Sequence, residues 1–160
     1  MRKPEFVYVT YIETTAEKLW HALTDRDFAQ KYWMNCILTS DWKAGSRMTM
    51  ERDGELKNEC VILESDPPRR MSYSWRSVFD AEMKKEAPSR VTYALEPQGK
   101  SVKLTVTHEN FAEGSKTLPS ISTGWPMVLS SLKSILETGH ALSIEAPATA
   151  GADCTAKMQA

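Results

Sequence analysis

His108 is the side chain best placed by type and spacing to do chemistry. It ends the alternating run Val102, Leu104, Val106, His108, which puts it on the apolar side of a strand, at that strand's end. There an imidazole can hydrogen-bond a polar group of a bound molecule or act as acid or base near neutral pH. It can equally be satisfied by a neighbouring backbone or hydroxyl group. The same alternation turns Glu109 to the other face, so the two neighbours do not form a His–carboxylate pair. His21, beside Trp20 on a helical stretch, reads as surface. His140 follows a helix-ending glycine, where a cation complements the helix dipole. Three scattered histidines assemble no metal set. Cys36, Cys60 and Cys154 are odd in number with no C-x-x-C pair, so neither a disulfide framework nor a zinc site follows. Cys36 and Cys60 read as small apolar packing groups. G-x-S-x-G, a glycine-rich phosphate loop and a recognisable Cys–His spacing are all missing from the sequence. The expectation is a chain without catalytic residues, metal or cofactor.

Binding has more support than catalysis. Five Trp, five Tyr and eight Met supply flat rings and flexible thioethers, which suit a cavity that adapts to an apolar guest and also suit an ordinary core. Alternation places Met48 and Met50 on one side of a strand. It does the same for Met71, Tyr73 and Trp75, for Val91, Tyr93 and Leu95, and for Leu104 and Val106. These face Trp125, Val128, Leu129 and Leu132, the apolar stripe of the last helical stretch. Together they form either the walls of an aromatic pocket, with two phenol hydroxyls to orient a guest, or a filled core. Trp33 and Trp42 stand where one end of such a pocket closes. The candidate ligand-binding set is therefore Trp33, Met48, Met50, Tyr73, Trp75, Tyr93, Leu104, Val106, His108, Trp125, Val128, Leu129 and Leu132.

The elements that must hold these residues are readable in outline. Phe6 to Ile12 has the composition of a strand. Thr14 or Thr15 caps a short helix that buries Leu19, Trp20 and Leu23, and a second short helix runs from Asp27 to Tyr32. From Cys36 the pattern becomes strands separated by turns at Lys43-Ala44-Gly45, Asp53-Gly54, Asp66-Pro67-Pro68-Arg69 and Pro97-Gln98-Gly99-Lys100, an antiparallel meander. Cys60-Val61-Ile62-Leu63 is apolar on both sides, which suggests a bulge. The charged stretch 78–89 reads as a solvated loop. The last helix is expected over Gly124 to Gly139, with Ser122 or Thr123 as cap, Pro126 in its first turn and Gly139 as its left-handed end. It needs a sheet to lie on, and the sheet needs it as a cover.

Twenty basic against 21 acidic residues, with no basic stripe, argue against nucleic acid. No apolar run reaches membrane-spanning length and no signal-peptide core is visible, which predicts a cytoplasmic protein without membrane insertion. A single domain is expected over 1–145, with a disordered tail over 146–160.

The order of elements resembles the helix-grip fold of the START-like and birch-pollen-allergen-like (polyketide cyclase) superfamily. Within it the chain is similar to the family named after the activator of heat-shock protein 90 ATPase. The strings that carry the resemblance are Thr15-Ala16-Glu17-Lys18-Leu19-Trp20-His21-Ala22-Leu23-Thr24-Asp25, Tyr32-Trp33, Ser40-Asp41-Trp42-Lys43-Ala44-Gly45, Pro67-Pro68-Arg69-Arg70-Met71 with Trp75, Thr107-His108-Glu109, and Gly124-Trp125 through Leu136-Glu137-Thr138-Gly139. Asn35 stands where the family usually has glycine, and asparagine tolerates the left-handed backbone that position implies. The resemblance implies an α+β fold, a curved antiparallel sheet of about seven strands around a long C-terminal helix, with two short helices after the first strand. Its members include lipid and hormone carriers, cyclases and co-chaperone modules. The function expected is non-catalytic binding of a hydrophobic or aromatic small molecule between sheet and helix. A chaperone-associated stress-response role through the surface is the first alternative, and a cyclase- or hydrolase-like use of the same cavity the second.

Overall fold

The computed structural model describes residues 3–144; the tail expected over 146–160 lies outside the described residues. The chain runs β1 (Phe6–Ile12), α1 (Ala16–Thr24), α2 (Arg26–Tyr32), β2 (Ile37–Ser40), β3 (Arg47–Arg52), β4 (Glu55–Asp66), β5 (Arg70–Trp75), β6 (Ser89–Gln98), β7 (Ser101–Glu109) and α3 (Thr117–Thr138). All strands join one seven-stranded sheet in the order β1-β7-β6-β5-β4-β3-β2, with antiparallel neighbours throughout. The meander closes when β7 returns to pair with β1, Tyr8 opposite Val106.

Local chemistry explains most of these boundaries. Asp53 and Gly54 both take positive φ (55° and 76°), the geometry that lets a two-residue turn follow the strand twist between β3 and β4. Thr15 caps α1 by accepting the Lys18 N–H at 3.2 Å. The Tyr32 hydroxyl donates to the Ala22 carbonyl at 2.8 Å and ties α2 to α1. Asn35 sits at φ 62°, as its place in the glycine-preferring turn anticipates. In β4 alternation turns Cys60 and Ile62 to the core and Val61 and Leu63 outward, and the register shifts between Ile62 and Glu64. On the outer face of the edge strand β1, Val7, Val9 and Tyr11 are about half exposed at 49%, 47% and 51%.

Two expectations about the last helix and its approach are corrected. α3 begins at Thr117, seven residues before Gly124, and Pro126 lies inside it. The proline that occupies the first turn is Pro119, whose missing N–H is one the helix end could not have used. The start is held by tertiary contacts. Ser115 Oγ accepts from the N–H of Thr117 (3.0 Å) and of Leu118 (3.3 Å). The Glu86 carboxylate accepts from the Lys116 N–H (2.6 Å) and from the hydroxyls of Ser115 and Thr117. Ile121, fully buried, extends the apolar face one turn upstream of Trp125. Stretch 78–89 is accordingly more than a solvated loop. It forms a single 3-10 turn at Met83–Lys85, buries Met83, and delivers Glu86 to the helix.

Candidate functional site

The inner face of the sheet and the buried stripe of α3 meet at Trp125. Its ring lies 5.5 Å from that of Trp33, 5.7 Å from Trp75, 6.2 Å from Tyr93 and 6.3 Å from His108, mostly edge-to-face or tilted. Strand alternation delivers Tyr73 and Trp75 from β5, Tyr93 from β6 and His108 from β7, while Trp33 arrives from the end of α2. Tyr73 packs against Trp75 at 6.4 Å. Met48, Met50, Leu104, Val106, Val128, Leu129 and Leu132 complete the same interior, and none of the thirteen candidates is more than 2% exposed. The structure thus brings the whole set into one core. In this state the rings touch each other.

The polar groups in this interior are engaged mainly with one another. Tyr73 and Tyr93 share a hydroxyl–hydroxyl bond of 2.6 Å, and burial pushes both phenols above their ordinary range. His108 is bonded at both nitrogens. The Trp125 indole N–H, which can only donate, gives its hydrogen to Nδ1 at 3.1 Å. Nε2 therefore carries the ring proton and donates it to Ser89 Oγ at 2.7 Å. The Ser89 hydroxyl hydrogen in turn points to the Trp75 carbonyl at 3.4 Å. Burial drives the His108 pKa down to about 3, so the ring is neutral at physiological pH. Of the two readings the sequence leaves open, the structure shows satisfaction by a local hydroxyl, with an indole as the second partner.

The same assignment bears on catalysis. Ser89 and His108 are close enough to look like a nucleophile and its base, but Nε2 has no free lone pair to take the seryl proton. Nδ1 faces an indole instead of the carboxylate that would hold the opposite tautomer. Cys60, fully buried, has its thiol pushed up to about 12 by desolvation, far from a reactive thiolate.

Among the described residues, the buried polar atoms without a hydrogen-bond partner include Trp33 Nε1, Trp75 Nε1 and Asn58 Oδ1. Asn58 lies opposite Met50 on the inner face, with its amide nitrogen donating to Ser77 Oγ at 3.2 Å. Sequence reasoning passed over it, although it is in phase with Cys60 and Ile62. Ser89 and Phe111 were missed as well. Phe111 stacks on His108 at 4.7 Å and lines an open surface groove of about 580 Å³ with Lys3, Pro4 and Leu118. Ser89 is in phase with Val91, Tyr93 and Leu95, but its bond to His108, like the stacking of Phe111, is set by tertiary pairing. His21 is exposed, as read, and His140 is exposed too.

An antiparallel seven-stranded sheet curved against one long C-terminal helix, with an aromatic interior between them, defines the helix-grip class. The chain belongs to the family described as Activator of Hsp90 ATPase homolog 1-like protein, whose model matches residues 13–137. Among solved structures it is similar to a protein from Mesorhizobium loti, with 24% identity, TM-score 0.72, and coverage of 83% of this chain and 96% of that one. It is similar to an Aha1 dimer from Colwellia psychrerythraea at 21% identity and TM-score 0.70, covering 85% and 98%. It is also similar to an Hsp90 activator from Plasmodium falciparum at 19% identity and TM-score 0.68, covering 82% and 95%. At these identities the likeness is one of fold. Comparison with curated proteins gives no match. Among the described residues no helix is long and apolar enough to cross a membrane.

Proposed function

We propose that the interior between α3 and the sheet receives a hydrophobic or aromatic small molecule and binds it without chemistry. The observation that carries this reading is where the aromatic rings converge. They meet on Trp125, the residue before Pro126, and Pro126 has no N–H to offer the Ser122 carbonyl one turn back. The wall bearing the central ring is therefore the segment of α3 whose hydrogen-bond ladder is interrupted, and it can bend away from the sheet at the least cost. Phe111, which stacks on His108 and lines the open groove, offers a way in. Apolar walls supply affinity, with Trp33, Trp75, Tyr93 and Trp125 as the principal surfaces.

Thermal unfolding with a library of fatty acids, sterols and polycyclic aromatics tests this. A ligand at about 100 times its Kd stabilises the folded state by about 2.7 kcal/mol, or roughly 5–10 °C for a chain of this size. Failure of every compound to raise Tm, together with native mass spectrometry showing no co-purifying molecule, would overturn the reading.

A second reading is favoured by the edge of the sheet. β1 carries no charged side chain across Phe6–Ile12 and leaves Val7, Val9 and Tyr11 half exposed, where edge strands usually carry charge or proline. In a cytoplasmic stress-response setting this edge would contact a chaperone of the Hsp90 class, as the family description suggests. Capture of the chaperone by the wild-type chain, lost in Val9→Lys, is the expected result; equal capture by both would rule out this edge.

A further inference from the structure

Three buried tryptophans surround the centre of the interior, and their indole N–H groups differ. Trp125 donates to His108 Nδ1, while Trp33 Nε1 and Trp75 Nε1 have no acceptor. Most other polar groups of this interior are bonded, Asn58 Oδ1 being an exception. The hydroxyl of Tyr32 is bonded to the Ala22 carbonyl, those of Tyr73 and Tyr93 to each other, and both nitrogens of His108 are taken. Buried donors without partners are rare in folded proteins, and here two of them flank one ring, each within 5.7 Å of Trp125 by ring centroid.

Resting on the binding reading above, we infer that the guest carries a neutral hydrogen-bond acceptor, a ketone, quinone or ester carbonyl on an aromatic or polycyclic frame, and that Trp33 and Trp75 donate to it. Indole nitrogens are donors only, so they select an acceptor over a hydroxyl or amine that must itself donate. The rings that touch Trp33 and Trp75 are Tyr32, Tyr73, Trp125 and the neutral imidazole of His108, none of them cationic. A carboxylate buried among them would lose its hydration and gain no counter-charge from these rings. A neutral carbonyl loses much less and regains it from the two donors.

The test compares fluorenone with fluorene, which share a ring frame and differ in the carbonyl. Binding to the full chain, with its tryptophans 15N-labelled, is followed through the indole N–H resonances. Fluorenone is expected to bind about tenfold tighter than fluorene, the effect of one to two net hydrogen bonds. Two of the five indole resonances should move downfield with fluorenone and stay in place with fluorene. In the double variant Trp33→Phe, Trp75→Phe both compounds lose wall area and bind more weakly, and the fluorenone-to-fluorene affinity ratio should fall to about one. Equal binding of the two compounds, or unmoved indole resonances with fluorenone bound, overturns the acceptor proposal and leaves the binding reading standing. Absence of binding by either compound overturns the acceptor proposal too, and failure across the wider library removes the reading beneath it. The wild-type resonances decide the question even if the double variant does not fold.

Discussion

Acidifying the protein from pH 7 to pH 5 should expose the state of His108. Its folded-state pKa is depressed from 6.5 to about 3 by burial, so the unfolded chain binds more protons than the folded one between those values. Stability therefore rises with pH across that window; the contribution is complete above about 6.5 and is lost progressively as pH falls toward 3. The whole effect is on the order of 4–5 kcal/mol, and about 2 kcal/mol of it has gone by pH 5. For a chain of this length that corresponds to a drop of roughly 4–8 °C in Tm. The two other histidines, His21 and His140, are exposed. The assay is a set of urea or thermal unfolding curves at half-unit pH steps, on the wild-type chain and on His108→Gln, whose amide can keep one of the two hydrogen bonds. The wild type should lose stability toward pH 5, and the variant should start lower and stay flatter. Equal slopes in the two proteins would refute the reasoning. If the variant does not fold, 15N shifts of the wild-type imidazole decide the matter. A neutral Nε2–H tautomer persisting at pH 5 is required, and a protonated ring at that pH would contradict the geometry with Trp125 and Ser89.

Replacing Glu86 with Ala removes the acceptor for the Lys116 N–H and the hydroxyls of Ser115 and Thr117, and should cost about 1–2 kcal/mol in chemical denaturation with early hydrogen exchange in the first turns of α3. Pro126→Ala restores a donor for the Ser122 carbonyl and should stabilise the helix by about 1–3 kcal/mol. By the binding reading it should also slow uptake of an aromatic probe in stopped-flow fluorescence, and faster uptake would contradict the hinge. Trp125→Ala empties the centre of the cluster, with an expected loss of about 3–5 kcal/mol. Added indole should recover part of it in a thermal shift assay, and no recovery would mean that the site collapses.

The site was legible in the sequence as a set and illegible as a network. Tyr73, Trp75, Tyr93 and His108 announce a shared face because side chains in a strand alternate, and the structure brings them together with Trp125. The bonds among them are another matter. Tyr73 meets Tyr93 across 20 residues, Ser89 meets His108 across 19, and His108 meets Trp125 across 17, so each depends on the register of separate elements. The helix start shows the same divide. A proline near an apolar run suggests a first turn, and Pro126 reads as that proline. The arrival of Glu86 from a distant turn starts the helix earlier, with Pro119 in its first turn instead.

Backbone preferences and hydrophobic period were enough to determine the antiparallel meander, the covering helix, the Asp53-Gly54 turn and the Gly139 end, where φ is 85°. Those properties are local, because each is written in a few consecutive residues and the conformations they allow. The tertiary structure decided which hydroxyl satisfies His108, which tautomer it holds, and which two indoles are left without an acceptor. A hydrogen bond needs two groups within about 3 Å in a fixed orientation. Distant stretches meet that condition only when the whole chain has settled on one packing.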